Sequence, residues 1–243
     1  MRGLLRTVLE PMGQGHRLLG AVTLTLILAA LVAVFIQAPT ERHLGDVQRI
    51  FYFHVACAWT ASLSFFLVFV GSFAYLRTRK TRWDVLAVSA AEIGVVFTSI
   101  ALLTGSVWAK HAWGTWWEWE PRLTTTLLLW LIYVAYLMLR SAIPEASRRA
   151  TFSAVFGIVG FVDVPIVFMS IRWWRSIHPA VVTGKGMDLD VAMYPAFFLS
   201  LAAFSLVFVY LLVLRTALER SHQRLEEMRR RAAFSLGGEV SHG

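Results

Sequence analysis

Val85–Val107 reads VLAVSAAEIGVVFTSIALLTGSV, 23 residues with a single charge, Glu92, and no proline. As a helix rising 1.5 Å per residue it is roughly 35 Å long, enough to cross a hydrocarbon core of about 30 Å. Five more runs of the same kind flank it: Leu18–Ala38, Phe53–Leu76, Leu123–Leu139, Phe152–Ile171 and Val191–Leu214. No Gly/Ser-rich linker separates them and no internal repeat is visible, so residues 1–243 read as a single domain. Composition agrees: hydrophobic residues make up 57% and charged residues 16%, against about 45–50% and about 25% in soluble domains. That apolar surplus needs lipid, which argues against a water-soluble enzyme. The first run has 21 residues, more than the roughly 7–15 of a secretory signal's apolar region, and no small-residue cleavage site follows it. It is expected to be retained. The expected fold is all-α, a polytopic membrane bundle of six transmembrane helices.

Lys and Arg set the expected orientation, because short basic connections stay on the cytoplasmic side. Sixteen of the 23 lie in one set of connections: Arg2, Arg6 and Arg17, then Arg77, Arg79, Lys80 and Arg82, then Arg140, Arg148 and Arg149, and six arginines from Arg215 to Arg231. The other set holds seven, Arg42, Arg49, Lys110, Arg122, Arg172, Arg175 and Lys185. The first set is expected inside. Both termini are then cytoplasmic, and the formal net charge of +8 needs no nucleic-acid partner. Arg215–Ala233 is expected to run on as a solvated or lipid-facing helix.

Seven of the ten tryptophans fall on the expected outer side: Trp108, Trp113, Trp116, Trp117 and Trp119 in the connection 108–122, and Trp173 and Trp174 after the fifth span. A single tryptophan at a span's end is ordinarily an interfacial anchor. An anchoring belt serves both interfaces, however, and only Trp83 flanks an inner end, so the density of Trp113–Glu120 favours a binding surface. If that segment is helical, Trp113, Trp116, Trp117 and Glu120 share one face at i, i+3, i+4, i+7. Such a face is a flat aromatic platform for a planar apolar ligand.

His16, His222 and His242 lie on the inner side, and His43, His54, His111 and His178 on the outer. His54 stands at the outer end of the second span, where an ionisable group near hydrocarbon is costly, and His178 follows the fifth. Each taken singly reads equally well as a hydrogen-bonded interfacial histidine. Two of them flanking a tryptophan platform fit haem, since imidazole is an axial ligand of iron and indoles cover a macrocycle. Arg122, Arg172 and Arg175 suit the propionates, although each alone is also an ordinary membrane-end charge. The in-span carboxylates Glu92 and Asp163 are expected to be structural rather than a proton relay, because no second buried base accompanies them. Cys57, the only cysteine, permits neither an internal disulfide nor a C-x-x-C-H haem attachment and reads as a packing residue.

Trp113–Thr124, WGTWWEWEPRLT, resembles the W-G-x-W-W-x-W-D-x-R-x-T segment of the haem-handling membrane proteins of cytochrome c maturation, with Glu120 where that family usually has Asp. Arg49–Val55 (RIFYFHV) followed by Ala58 and Trp59, and Val164–Val167 followed by Ser170, Trp173, Trp174, Ile177 and His178, resemble its six-span haem exporter C branch, CcmC. The likeness covers nearly the whole chain. It implies haem b bound as cargo at the periplasmic face of a bacterial inner membrane. It implies His54 and His178 as axial ligands, with Trp113, Trp116, Trp117, Trp119, Glu120 and Arg122 about the macrocycle. It further implies delivery to the haem chaperone CcmE, with CcmD and the ATP-driven CcmA and CcmB pair as partners, and no enzymatic turnover. The absence of a G-x-x-x-x-G-K-[ST] phosphate loop fits dependence on partners for energy. One rival reading is a transporter moving haem through its own bundle, for which no inward histidine within a span and no paired broken helices are visible. Another is a haem b electron carrier or quinone enzyme, which would bury facing histidines within its spans.

Overall fold

The computed structural model describes residues 14–179, 181–184 and 186–240. Helix α1 (Gln14–Val32) ends in a π-helical turn, Ala33–Gln37. It is followed by α2 (Arg49–Thr78), α3 (Thr81–Trp113), α4 (Pro121–Ala142), α5 (Ala146–Phe161), α6 (Asp163–Trp173) and α7 (Tyr194–Val240). Among the described residues six helical units are long and apolar enough to cross a membrane, with α5 and α6 together forming the fifth. A ribbon of two residues a side, β1 (Val182–Thr183) antiparallel to β2 (Gly186–Met187), lies between α6 and α7. Arg2, Arg6, Lys185 and His242, which entered the charge and histidine arguments, lie outside the described residues.

The bundle is organised on α2 and α3, and the reason is the size of the facing side chains. Ala87, Ala90, Ala91, Gly94 and Ala101 recur along α3 at helical spacing and lie buried against α2. Small residues let helix backbones approach closely, which is how helices associate where lipid is already as apolar as Leu. At Gly94 a Cβ would lie 2.5 Å from Phe65 Cε1, and Phe65 is itself stacked on Tyr133 of α4, centroids 3.8 Å apart. Helix α5 packs on α2 through Gly157, where a Cβ would lie 3.0 Å from Ser72 Oγ and from Val68 Cγ1. Helix α7 leans on α1, α2 and α3, and α4 contacts α3, α5 and α6.

Two ion pairs tie the helices together. Arg140 of α4 donates to both oxygens of Asp84 of α3 at 2.6 and 2.9 Å, with both side chains 8% exposed. Arg215 of α7 pairs with Glu92 of α3 and, at 3.2 Å, with Glu219 one turn on. Glu92 is therefore paired with a cation from another helix. Asp163 is buried, and its Oδ2 has no hydrogen-bond partner among the described residues.

The fifth span is broken, where a continuous helix was expected. The chain leaves α5 at Val162 and restarts at Asp163. Pro165 explains the position: inside a helix it lacks a donor and clashes with the carbonyl four residues back, whereas within a first turn its missing N–H is one that has no partner anyway. The order of traverses gathers the connections α1–α2, α3–α4 and α6–α7 at one end of the bundle.

Candidate functional site

At that end α2 presents His54, in the second turn of the helix. Its Nδ1 is hydrogen-bonded to the Ala101 carbonyl at 3.0 Å and lies 3.2 Å from Thr104 Oγ1, both on α3. A ring whose Nδ1–H is given to a carbonyl keeps Nε2 as its lone-pair nitrogen. The room for it comes from Gly105, where a Cβ would lie 2.8 Å from His54 Cε1.

The second imidazole, His178, comes from the loop after α6 and is half-buried. Its centroid lies 6.4 Å from that of His54, with the ring planes 35° apart. Burial first, and then the positive charge of Arg122 and the neighbouring His54, hold its pKa down to about 3. It is a neutral imidazole at physiological pH. Its Nδ1 is buried with no hydrogen-bond partner among the described residues. Its backbone N–H donates to Ser176 Oγ at 3.1 Å, and the Ser176 hydroxyl donates to Glu120 Oε2. The other oxygen, Glu120 Oε1, accepts from Leu123 N–H at 2.7 Å and so caps α4, with Pro121 at the first helical position. A carboxylate at the cap and a proline just inside it are favourable ways to begin a helix. That start places Arg122 in the first turn.

The tryptophans are arranged differently from the expected single helical face. Helix α3 continues through Trp108 to Trp113, so these two belong to it rather than to the connection. Gly114, at φ 78°, takes the left-handed conformation that ends helices, and residues 114–120 are bends and irregular chain. Trp113, Trp116, Trp117 and Glu120 therefore share no helical face. The indoles form edge-to-face pairs instead: Trp108 with Trp113 and Trp117 with Trp119, centroids 5.5 Å apart in each. Trp113 also turns an edge-to-face contact to His178 at 6.0 Å. Trp116 and Trp119 are exposed, 56% and 74%, while the Trp117 indole N–H is buried without an acceptor among the described residues. Thr115 Oγ1 holds the segment's turn by donating to the Trp117 carbonyl at 3.0 Å.

Thus the fold brings His54, His178, Trp108, Trp113, Glu120 and Arg122 together. His43 is exposed, and His111 is exposed with its Nδ1 bonded to the Val107 carbonyl of its own helix. Arg175 lines a cleft of about 680 Å³ with Glu118, Trp119, Glu120, Pro121, Ser176 and Ile177, a size that accommodates cofactors. Arg172 is exposed beside Met169. Gly105, Thr104 and Ser176 escaped the sequence reading. A lone glycine in a helical run is a weak sign of close approach, and Ser176 carries no local sign at all.

Chemically, the centre is two imidazoles facing one another, with the Trp113 indole against the second of them. Two metal–imidazole bonds of about 2 Å in line, with the ring radii added, separate centroids by roughly 6 Å, close to the spacing seen. No group of three or more His, Cys, Asp or Glu suited to a metal ion occurs among the described residues. Two protein ligands suit a metal that brings its own equatorial ligands, and Arg122 offers a cation to acidic substituents of such a group.

Comparison with known proteins matches residues 6–231 to the family model "Heme exporter protein C". Among curated proteins of that name, the one from Bradyrhizobium diazoefficiens is 34% identical over 229 residues, 93% of this chain and 87% of the relative. The one from Rhodobacter capsulatus is 34% identical over 214 residues, 87% of this chain and 88% of the relative. The one from Escherichia coli K12 is 33% identical over 179 residues, 73% and 72% of the two chains. With a match this long and relatives this similar, the chain belongs to the heme exporter protein C family.

Proposed function

We propose that this multi-pass protein handles haem in cytochrome c maturation as one unit, holding haem b as cargo at the tryptophan-rich end of the bundle. His54 and His178 ligate the iron from opposite faces. Trp113, Trp116, Trp117 and Trp119 cover the macrocycle, and Arg122 and Arg175 pair with its carboxylates. The observation that carries the reading is the pair of facing imidazoles, one tied by its ring nitrogen and the other kept neutral by burial and by Arg122. Two imidazoles saturate the iron's axial positions, which suits safe keeping better than oxygen activation. The protein's task is then placement rather than turnover. In this reading the site faces the periplasm from the inner membrane, and the haem passes to CcmE, with CcmD and the CcmA and CcmB pair as further partners.

A route through the bundle has less support. The cleft between α3 and α7, about 340 Å³, is lined by Val96, Phe97, Leu211 and Leu214 and by the paired Glu92 and Arg215, and contains no histidine. The fifth span supplies one broken helix and not the corresponding pair that marks transporter sites. The quinone reading asks for both histidines within spans, and His178 lies in a loop.

The test is the optical spectrum, oxidised and reduced, of detergent-purified protein made in haem-sufficient cells. Wild type is expected to show the Soret band of six-coordinate haem. His54→Ala and His178→Ala are each expected to weaken or shift it, with partial recovery in imidazole. Normal loading of the double variant rejects the ligand assignment.

A further inference from the structure

We propose that Glu120 and Ser176 are positioning residues for His178: the acid of the tryptophan-rich motif acts on the iron ligand through a serine hydroxyl, without contacting the haem. The proposal rests on the two-histidine reading above.

The two imidazoles are held in unlike ways. His54 sits on a helix, and its ring nitrogen is tied to Ala101 and Thr104. His178 sits in residues 175–179, which belong to no helix or strand, and its ring Nδ1 has no partner among the described residues. What fixes it is a chain of three hydrogen bonds, His178 N–H to Ser176 Oγ, Ser176 hydroxyl to Glu120 Oε2, and Leu123 N–H to Glu120 Oε1. The polarity of that chain is dictated by its members. A carboxylate only accepts, so the single hydroxyl proton of Ser176 goes to it, and the serine lone pairs are left for the His178 amide. Hydrogen bonds to an ionised acceptor are roughly twice as strong as neutral ones, and Glu120 is 9% exposed, so water competes little for it. Pro179 adds a restraint, because the residue before a proline is confined to extended backbone. With both oxygens engaged inside the protein, Glu120 has little left to offer a ligand. The carboxylate at this motif position is therefore a clamp between the start of α4 and the loop that carries the second ligand. A serine two residues before that ligand is the clamp's other jaw.

The test uses the full-length, detergent-purified, haem-loaded protein as wild type, Ser176→Ala, Glu120→Ala, Glu120→Asp, the Ser176→Ala/Glu120→Ala pair and His178→Ala. Two quantities are read: the low-spin against high-spin ferric signal by electron paramagnetic resonance, and the rate of haem loss to excess apomyoglobin. Ser176→Ala and Glu120→Ala are each expected to gain high-spin signal and to lose haem about 10- to 100-fold faster, the range typical for partners that orient a metal ligand. The pair is expected to lose it no faster than the worse single variant, and Glu120→Asp to stay near wild type. Ser176→Ala leaves the α4 cap intact, so its result stands even if Glu120→Ala does not fold. Wild-type signal and loss rate in Ser176→Ala overturn the proposal while His178→Ala still loses the low-spin signal, as do rates that multiply in the pair. A wild-type signal in His178→Ala rejects the two-histidine reading, and the clamp with it.

Discussion

Gly105 shows how little space separates a helix that admits a ligand from one that does not. A methyl group there would sit 2.8 Å from His54 Cε1, and the ring cannot simply swing aside, because its Nδ1 is held 3.0 Å from the Ala101 carbonyl one turn earlier on the same helix. Either the hydrogen bond stretches or the ring tilts, and both move Nε2. Gly105→Ala is therefore expected to fold normally, since glycine to alanine favours a helix, yet to hold haem about ten-fold more weakly, as loss of an orienting partner does. Haem per protein after gel filtration reads the effect, and full occupancy with an unshifted Soret band would show that the pocket tolerates the methyl. The same residue-level economy applies at Glu120. One methylene longer than the family's usual Asp, its side chain still caps α4 with one oxygen and meets Ser176 with the other.

At the level of elements, Gly94 makes the opposite case from Gly105 on the same helix. Its absent Cβ would lie 2.5 Å from Phe65 Cε1, and Phe65 is pinned against Tyr133 at 3.8 Å, so neither α2 nor α4 can yield without repacking. Gly94→Ala is expected to lose about 1–3 kcal/mol of stability through overpacking, read as a lower unfolding midpoint in detergent. Because His54 lies about three helical turns further out along α2–α3, the haem spectrum of the protein that remains folded is expected to be unchanged. A lowered haem signal at unchanged midpoint would exchange the roles assigned to the two glycines. The contrast explains which parts of the molecule were legible in the sequence. Six spans could be read because each needs only about twenty apolar residues in a row. His54, His178 and Arg122 could be singled out because charge and imidazole are conspicuous beside such runs. The break at Val162, the π-turn at Ala33–Gln37 and the end of α3 at Gly114 depend on one or two backbone residues and leave hydropathy untouched. The supposed helical platform failed there, since a glycine in the left-handed conformation ends α3 just after Trp113. Cross-helix partners were hidden for another reason. Arg140 and Asp84 are 56 positions apart and Arg215 and Glu92 are 123 apart, and only the packed bundle says that they meet.

For the molecule as a whole, an even number of traverses sorts the chain into two ends with different chemistry. Gln48, His54, Trp108, Trp113 and His178 converge at one end, with Trp108 Nε1 donating to Gln48 at 3.4 Å and Trp113 set against His178. The Arg79 guanidinium donates to Thr151 at the other, where the α2–α3 and α4–α5 connections lie side by side. The second end also carries most of the arginines, Arg77, Arg79, Arg82, Arg148 and Arg149 among them. Positively charged short loops resist translocation, so that end is expected in the cytoplasm and the site in the periplasm. The native thiol makes this easy to check, because Cys57 is 1% exposed and contributes little background to a bulky reagent. Glu118→Cys and Ser147→Cys place one accessible thiol at each end, both positions being exposed. A membrane-impermeant maleimide added to intact spheroplasts is expected to label Glu118→Cys several-fold more than Ser147→Cys, and permeabilisation to equalise them. Labelling in the reverse order would put the facing histidines on the cytoplasmic side. The fold and both ion pairs would survive that result, but delivery to a periplasmic chaperone would not, because the protein would then have to move its cargo across the bilayer before giving it up.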